Sequence, residues 1–266
     1  MSTTDTRLDL AKTIAVEAGR HTLRYFQQEN FVVERKFDDS PVTVADREAE
    51  QLLRDRISAA FPEDVILGEE FGEVAGDSGF RWILDPIDGT KSFISGVPLY
   101  GTLIGVESEN GCEIGVIYMP GLDECIYAQK GNGAWYIKGD LKPVQAKVSV
   151  REQLSDSVFV TSQVDSFEER GAGEAYRSLE RAAYVTRTWG DCYGYLLCAT
   201  GRVDFMVDPI MSVWDAAALL PIMEEAGGTF TDWQGKATIH AGEGIATNGR
   251  MLDEVLEITR QFSKPS

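Results

Sequence analysis

The chain has 266 residues, 43% of them hydrophobic, which suffices for a substantial core in one large domain or two fused lobes and excludes a disordered polypeptide. A formal net charge of −18 argues against a nucleic-acid partner, whose binding needs Lys and Arg on phosphates, and would repel a phosphate substrate unless bound cations inverted the local potential. The absence of a membrane-length apolar run, and a start (MSTTDTRLDL) without the basic and apolar regions of a secretion signal, lead us to expect a soluble cytoplasmic protein with no membrane partner.

Leu8, Ala11, Ala15 and Ala18 recur at helical spacing and predict a first helix, followed by a strand in FVVERK at 31–36. Thr43 with Asp46 resembles a capping box ahead of an amphipathic helix carrying Ala49, Leu52, Leu53 and Ile57, with Pro62 close behind. Strands are expected at 65–67 and 80–84, then around 102–106, 113–118, 125–128 and 134–137, with Gly-rich breaks that suggest a mostly antiparallel sheet. Beyond about residue 140 the pattern turns to alternation. It predicts a strand near Val158, a helix over 167–182, a strand near Tyr184, a helix over 193–199, a strand over 203–207, a helix over 214–226 ended by Gly227 and Gly228, and a last helix over 251–262. With no Pro-rich or Ser-rich linker between the halves, a single domain spanning 1–266 is expected, made of two closely packed lobes at about 1–140 and 141–266.

The stretch WILDPIDGT at 82–90 carries the most chemistry. A short apolar strand runs into Asp85 and Asp88, Pro86 stiffens the backbone between them, and Asp88-Gly89 forces a tight turn that leaves side-chain and main-chain oxygens pointing one way. Hard cations such as Mg²⁺ take oxygen ligands of this kind, although Asp-Gly is also an ordinary surface-turn signal. Four further acids sit at the ends of predicted elements: Glu69 and Glu70 after the strand VILG, Asp46 at the start of the second helix, and Asp215 opening WDAAALLPIMEEAGG. Capping and the helix dipole are the better explanation of Asp46 or Asp215 when each is taken alone.

Taken together, SPVTVAD at 40–46, GEE at 68–70, WILDPIDGT at 82–90 and WDAAALLPIMEEAGG at 214–228 resemble, in order and spacing, the inositol monophosphatase-like metal-dependent phosphatases over nearly the whole chain. The resemblance implies an α/β sugar-phosphatase fold of alternating helix and sheet layers, αβαβα. It implies metal ligands at Glu69, Asp85, Asp88 and Asp215 with the main-chain carbonyl of Ile87, holding two or three Mg²⁺ ions. Thr90 would orient the attacking water alongside Glu69, Asp46 would hydrogen-bond Thr90, and main-chain N–H groups at Gly89 and Thr90 would cradle the phosphate of a small phosphomonoester. A homodimer is also implied.

A finer resemblance lies in RTWGDCYGYLLCATGR at 187–202 and VDFMVDP at 203–209, which look like the histidinol-phosphate phosphatase branch of that superfamily. There Asp191 and Asp208 stand as extra acids that could face a substrate amine, which a neutral polyol lacks. Arg187 either serves the phosphate or holds one of these acids, and Tyr193 and Tyr195 either line an imidazole pocket or pack in the core. Lys36 and Lys91 flank the expected site, as field-softening cations or as plain solvated lysines. Cys112, Cys125, Cys192 and Cys198 have no zinc or disulfide spacing and read as reduced thiols, and His21 reads as structural.

The expected activity is therefore Mg²⁺-dependent hydrolysis of histidinol phosphate by in-line attack of water, a step of histidine synthesis. An inositol or other small-sugar phosphatase is the nearest alternative. A nucleotide bisphosphatase and an aspartyl-phosphate mechanism have less support, and a non-catalytic metal-binding regulatory module is the alternative of another class.

Overall fold

The computed structural model describes residues 3–28, 33–35 and 41–262. Residues 31, 32 and 36 of the expected first strand, Ser40 of the first motif block, and Lys36 lie outside these. Helix α1 (Thr3–Thr22) packs against α2 (Val44–Ala60), with the antiparallel pair β1 (Val33–Arg35) and β2 (Pro41–Thr43) between them in the chain. Ala11, Ile14, Ala15 and Ala18 of α1 and Ala49, Leu53 and Ile57 of α2 are all buried, as the 3.6-residue periodicity requires of core-facing stripes.

Seven further strands and one short helix complete the first lobe's chain: β3 (Val65–Gly68), β4 (Gly72–Val74), β5 (Arg81–Asp88), α3 (Thr90–Ile94), β6 (Gly101–Ser108), β7 (Gly111–Met119), β8 (Glu124–Gln129) and β9 (Ala134–Lys138). With β10 (Val144–Gln145) they form one eight-stranded sheet in the order β10-β9-β8-β7-β6-β5-β3-β4. It is antiparallel apart from the parallel pair β3 and β5. A buried ion pair fastens α1 to this sheet. The guanidinium of Arg7 donates twice, at 2.8 Å, to the Asp64 carboxylate, which also accepts from the Trp82 indole at 2.8 Å.

The remainder runs β11 (Val158–Val160), α4 (Asp165–Glu169), α5 (Gly173–Ala182), β12 (Val185–Arg187), α6 (Cys192–Ala199), β13 (Phe205–Asp208), α7 (Val213–Ala217), α8 (Leu219–Glu225), β14 (Thr229–Thr231), β15 (Gly244–Thr247) and α9 (Leu252–Thr259). A five-stranded sheet has the order β12-β11-β13-β15-β14, with β11 parallel to both β12 and β13. Helices α6, α7 and α8 lie between the two sheets, α1 and α2 cover the other face of the large one, and α5 and α9 lie on the far face of the small one. The layers are therefore αβαβα. Strands β14 and β15, which make the antiparallel half of the small sheet, are not predicted by the alternation of the sequence.

Two predicted helices are each broken. The first divides into α4 and α5 at Gly171, whose φ of 78° leaves the helical region. The second divides into α7 and α8 around Ala218, because Pro221 has no N–H to give the carbonyl of Ala217. The thiol of Cys112 donates to that carbonyl instead, at 2.9 Å. The four cysteines are buried free thiols, as expected, and His21 pairs with Glu48 at 2.7 Å.

The α7–α8 junction sits directly on Gly105 and Gly115, which face each other on β6 and β7. A Cβ at Gly105 would stand 2.5 Å from the Ala217 Cβ, and one at Gly115 would stand 2.1 Å from the Ala218 carbonyl oxygen. The second obstacle is backbone, so it cannot swing away. Gly115→Ala is predicted to cost about 1–3 kcal/mol, the usual penalty of overpacking, measured as a lowered midpoint in urea unfolding. A variant as stable as the parent would show that the junction has slack.

Candidate active site

The parallel strands of both sheets deliver their C-terminal ends to one crevice, the position where open α/β sheets bind ligands. From the large sheet come Glu69, just past β3, and the Asp85–Asp88 end of β5. From the small sheet come Ser162 and Gln163 past β11, and Ile210 past β13. The crevice has a volume of about 260 Å³, and Glu69, Asp85, Ile87, Asp88, Asp191 and Asp215 are among the residues in its wall.

Strand alternation alone would send residues 85 and 88 to opposite faces, since their spacing is odd. A bulge corrects this. Asp85 pairs with Leu103 and Asp88 with Gly101, so three steps on β5 match two on β6. The hydroxyl of Thr102 donates to the Pro86 carbonyl at 2.9 Å and holds the bulge. Asp85, Asp88 and Asp215 consequently bring one carboxylate oxygen each to within 4.8 Å of one another.

Asp215 arrives on the first turn of α7 and Asp46 on the first turn of α2, and both complete capping boxes. The Ser212 N–H donates to Asp215 Oδ2 at 2.7 Å, and the Thr43 N–H and hydroxyl donate to Asp46 Oδ2 at 2.8 and 2.6 Å. Capping and site-building are one role here, because the cap fixes the direction in which each carboxylate points. The expected hydrogen bond from Thr90 to Asp46 is not formed. Thr90 opens α3, so its hydroxyl turns back to donate to the Ile87 carbonyl at 3.1 Å, while Asp46 is occupied by Thr43.

Asp191 stands over the turn. A Cβ on Gly89, which has φ of 87°, would come within 2.7 Å of Asp191 Oδ2, so glycine is needed there for both backbone conformation and space. Asp88 Oδ2 accepts the Cys192 N–H at 2.6 Å, which ties the cluster to the start of α6. Lys91 lies on the rim and donates to the side chain of Gln163, bridging the two lobes.

Asp208 corrects the expectation of a substrate contact. Its carboxylate is buried, lies in a side recess of about 80 Å³, and accepts from the Thr161 hydroxyl, the Ser162 N–H and hydroxyl, and the Tyr195 hydroxyl at 2.8–3.0 Å. It anchors Ser162 in the wall. Tyr195 is core, with its hydroxyl spent on Asp208, whereas Tyr193 is half-buried against the core between the sheets. Arg187 is exposed at the end of edge strand β12 and donates to the Thr186 carbonyl at 2.7 Å, so within one chain it reaches neither the cleft nor the extra acids. Glu50, Ser162, Gln163 and Ile210 were not anticipated. Glu50 lies four residues after Asp46 on the same face of α2, a signal that helical spacing does contain.

Burial is the largest force on the titration of these acids. It drives Asp85 and Asp88 well up from the ordinary carboxylate range, with Glu69, Asp88 and Asp215 repelling charge on Asp85, and Asp191 and Asp215 repelling charge on Asp88. Burial also pushes Asp46 and Asp191 up to about 6 and Asp215 up to about 7. Asp85 stands beside Glu69 and Asp215, whose charges oppose its own. Such carboxylate pairs need a shared proton or a cation between them. An oxygen-only set of this density fits Mg²⁺, which binds through carboxylates and retained waters.

These raised values set a pH dependence. The folded chain without metal binds protons that the unfolded chain has released, so this stabilisation is complete below the ordinary pKa of 3.8 and is lost as pH climbs through about 7. In chelator, the melting temperature is predicted to fall from pH 4 towards pH 7.5, and added Mg²⁺ is predicted to flatten that slope. Differential scanning fluorimetry across this range tests it, and equal slopes with and without metal would contradict the assignment.

The chain matches the model of the inositol monophosphatase family over residues 4–264. It is 46% identical over 240 residues to the histidinol-phosphatase of Chlorobaculum parvum, covering 90% of this chain and 91% of that one. To the histidinol-phosphatase of Streptomyces coelicolor it is 39% identical over 258 residues, covering 96% and 97%. Among solved structures, the extragenic suppressor protein suhB of Bartonella henselae superposes with a TM-score of 0.88 at 30% identity, covering 96% of this chain and 99% of that one. With the ordered acidic cluster in the same layered scaffold, the chain belongs to the inositol monophosphatase family.

Proposed function

We propose that this chain is a Mg²⁺-dependent phosphomonoesterase that hydrolyses histidinol phosphate to histidinol and phosphate. The observation that carries the substrate choice is Asp191, an acid outside the inferred ligand set that stands over Gly89 in the same cleft. A phosphate seated at the Gly89–Thr90 turn would place a cationic amine within reach of this carboxylate, an attraction that a polyol phosphate does not gain. The two related proteins named histidinol-phosphatase support the reading.

Glu69, Asp85, Asp88, Asp215 and the Ile87 carbonyl would hold two or three Mg²⁺ ions. When bound, the metal supplies charge neutralisation on the phosphoryl oxygens, acidification of the attacking water and stabilisation of the leaving oxygen. Thr90 orients the water with its hydroxyl, Glu69 accepts the water's proton, and the N–H groups of Gly89 and Thr90 hold a phosphate oxygen. Attack is then in line with the departing alkoxide, which takes a proton from solvent to leave as the alcohol. Asp46 keeps the first turn of α2 in place behind Glu69, and Asp208 keeps Ser162 in the wall.

The two lobes act as one catalytic domain, since the core between the sheets draws Ile83 and Leu103 from the first and Leu196 and Met206 from the second. A cytoplasmic homodimer completes the proposal. Exposed Tyr184 and Trp189 beside edge strand β12 offer apolar surface to a second copy. Among the described residues no helix is long and apolar enough to cross a membrane.

Phosphate release from histidinol phosphate and inositol phosphate, each with Mg²⁺ and with chelator, tests the activity. Histidinol phosphate is expected to give the higher kcat/KM, and Asp191→Asn to narrow the ratio by roughly tenfold, the scale of one charge contact. A preference for inositol phosphate would defeat the substrate and leave the chemistry intact. Asp88→Asn, near-isosteric but missing a charged ligand, is predicted to lower turnover at least about a hundredfold while the fold persists by circular dichroism. Undiminished turnover would remove Asp88 from the ligand set.

A further inference from the structure

Glu50 is fully buried on α2, yet its carboxylate points away from the helix into the turn that follows β3. Oε2 accepts the Glu70 N–H at 2.7 Å, and Oε1 accepts the Phe71 N–H at 3.2 Å and the Arg54 Nε–H at 2.8 Å. The Glu70 N–H belongs to the peptide plane on the C-terminal side of Glu69. The plane on its N-terminal side is also held, because the Glu69 N–H donates to the Leu84 carbonyl at 3.2 Å. Both backbone torsions of Glu69 are therefore clamped, one by β5 and the other by Glu50.

The clamp is built into the strand as well. A Cβ on Gly68 would lie 2.1 Å from Glu50 Oε1, so the residue before Glu69 must be glycine for the carboxylate to reach its place. Arg54 extends the support by donating a second nitrogen to the Gly72 carbonyl across the same turn. Arg54 pairs with this carboxylate at 2.8 Å, so its burial beside Glu69 and Glu70 is compensated by a cation. What the anion provides is two strong acceptor oxygens for convergent donors.

From this geometry we infer that Glu50 is the positioning residue for Glu69, holding that carboxylate at the metal-facing angle through the 69–71 turn. The inference rests on the reading of the cleft as a Mg²⁺ site. Glu50→Gln preserves volume but turns an NH₂ group towards an N–H donor, so one side of the clamp must open. Titration calorimetry of Mg²⁺ into metal-stripped parent, Glu50→Gln and Glu69→Gln proteins tests it. The dissociation constant for Glu50→Gln is expected to rise roughly ten- to a hundredfold, the range found for groups that orient metal ligands. Its lost turnover should return as Mg²⁺ is raised, whereas that of Glu69→Gln should not.

Affinity within about twofold of the parent in a folded Glu50→Gln protein would overturn the inference and leave the Mg²⁺ site standing. No binding by the parent itself would overturn both. Should Glu50→Gln fail to fold, Arg54→Lys serves in its place. Lysine cannot bridge Glu50 and the Gly72 carbonyl together, and a smaller weakening of Mg²⁺ affinity is expected; none would overturn the inference.

Discussion

Repulsion among carboxylates gathered at one point is the constraint around which this molecule is organised. Asp85, Asp88 and Asp215 bring oxygens within 4.8 Å of one another, and Glu69 and Asp191 add their charge to the same cleft. Burial and mutual repulsion accordingly raise Asp85, Asp88 and Asp215 together. The rest of the fold can be understood as the means of holding them where they would not stay by themselves.

Each acid is held by backbone that has another structural duty. Asp46 and Asp215 close the first turns of α2 and α7, Asp88 receives the leading N–H of α6, and the β5 bulge turns Asp85 and Asp88 to one side. Because these contacts are caps and ladder irregularities, moving a ligand means disturbing a helix start or a strand. The paired glycines Gly105 and Gly115 belong to the same logic, since they let the helix pair bearing Asp215 rest directly on the large sheet. Rigidity of this kind suits a site whose charge must not relax outward into water.

The extra acids show how similar residues part in role. Asp191 remains in the cleft wall beside Gly89, while Asp208 is taken up by Thr161, Ser162 and Tyr195 in the recess behind. One stays in the cleft wall, and the other is buried behind it. Arg187, which belongs to the same stretch of sequence, lies on an exposed sheet edge.

The motif acids, the Thr43–Asp46 capping box, the antiparallel run of strands and the change to alternating elements were legible in the sequence, because each is written in local spacing: three residues for a cap, two for a strand, and Asp-Gly for a turn. Broken helices were only partly legible, since Pro221 removes one hydrogen bond but the sheet beneath decides whether the helix parts there. Tertiary structure alone decided that Thr90 turns to Ile87 instead of Asp46, that Asp208 faces inward, that Arg187 stays outside, and that Glu50 reaches the turn beside Glu69. Local spacing states which residues can start a helix or leave a strand, but a side chain's partner depends on what chain-distant segment fills the space in front of it. The sequence by itself therefore determined the chemistry and the layers, and packing determined which acids face the cleft and which support it.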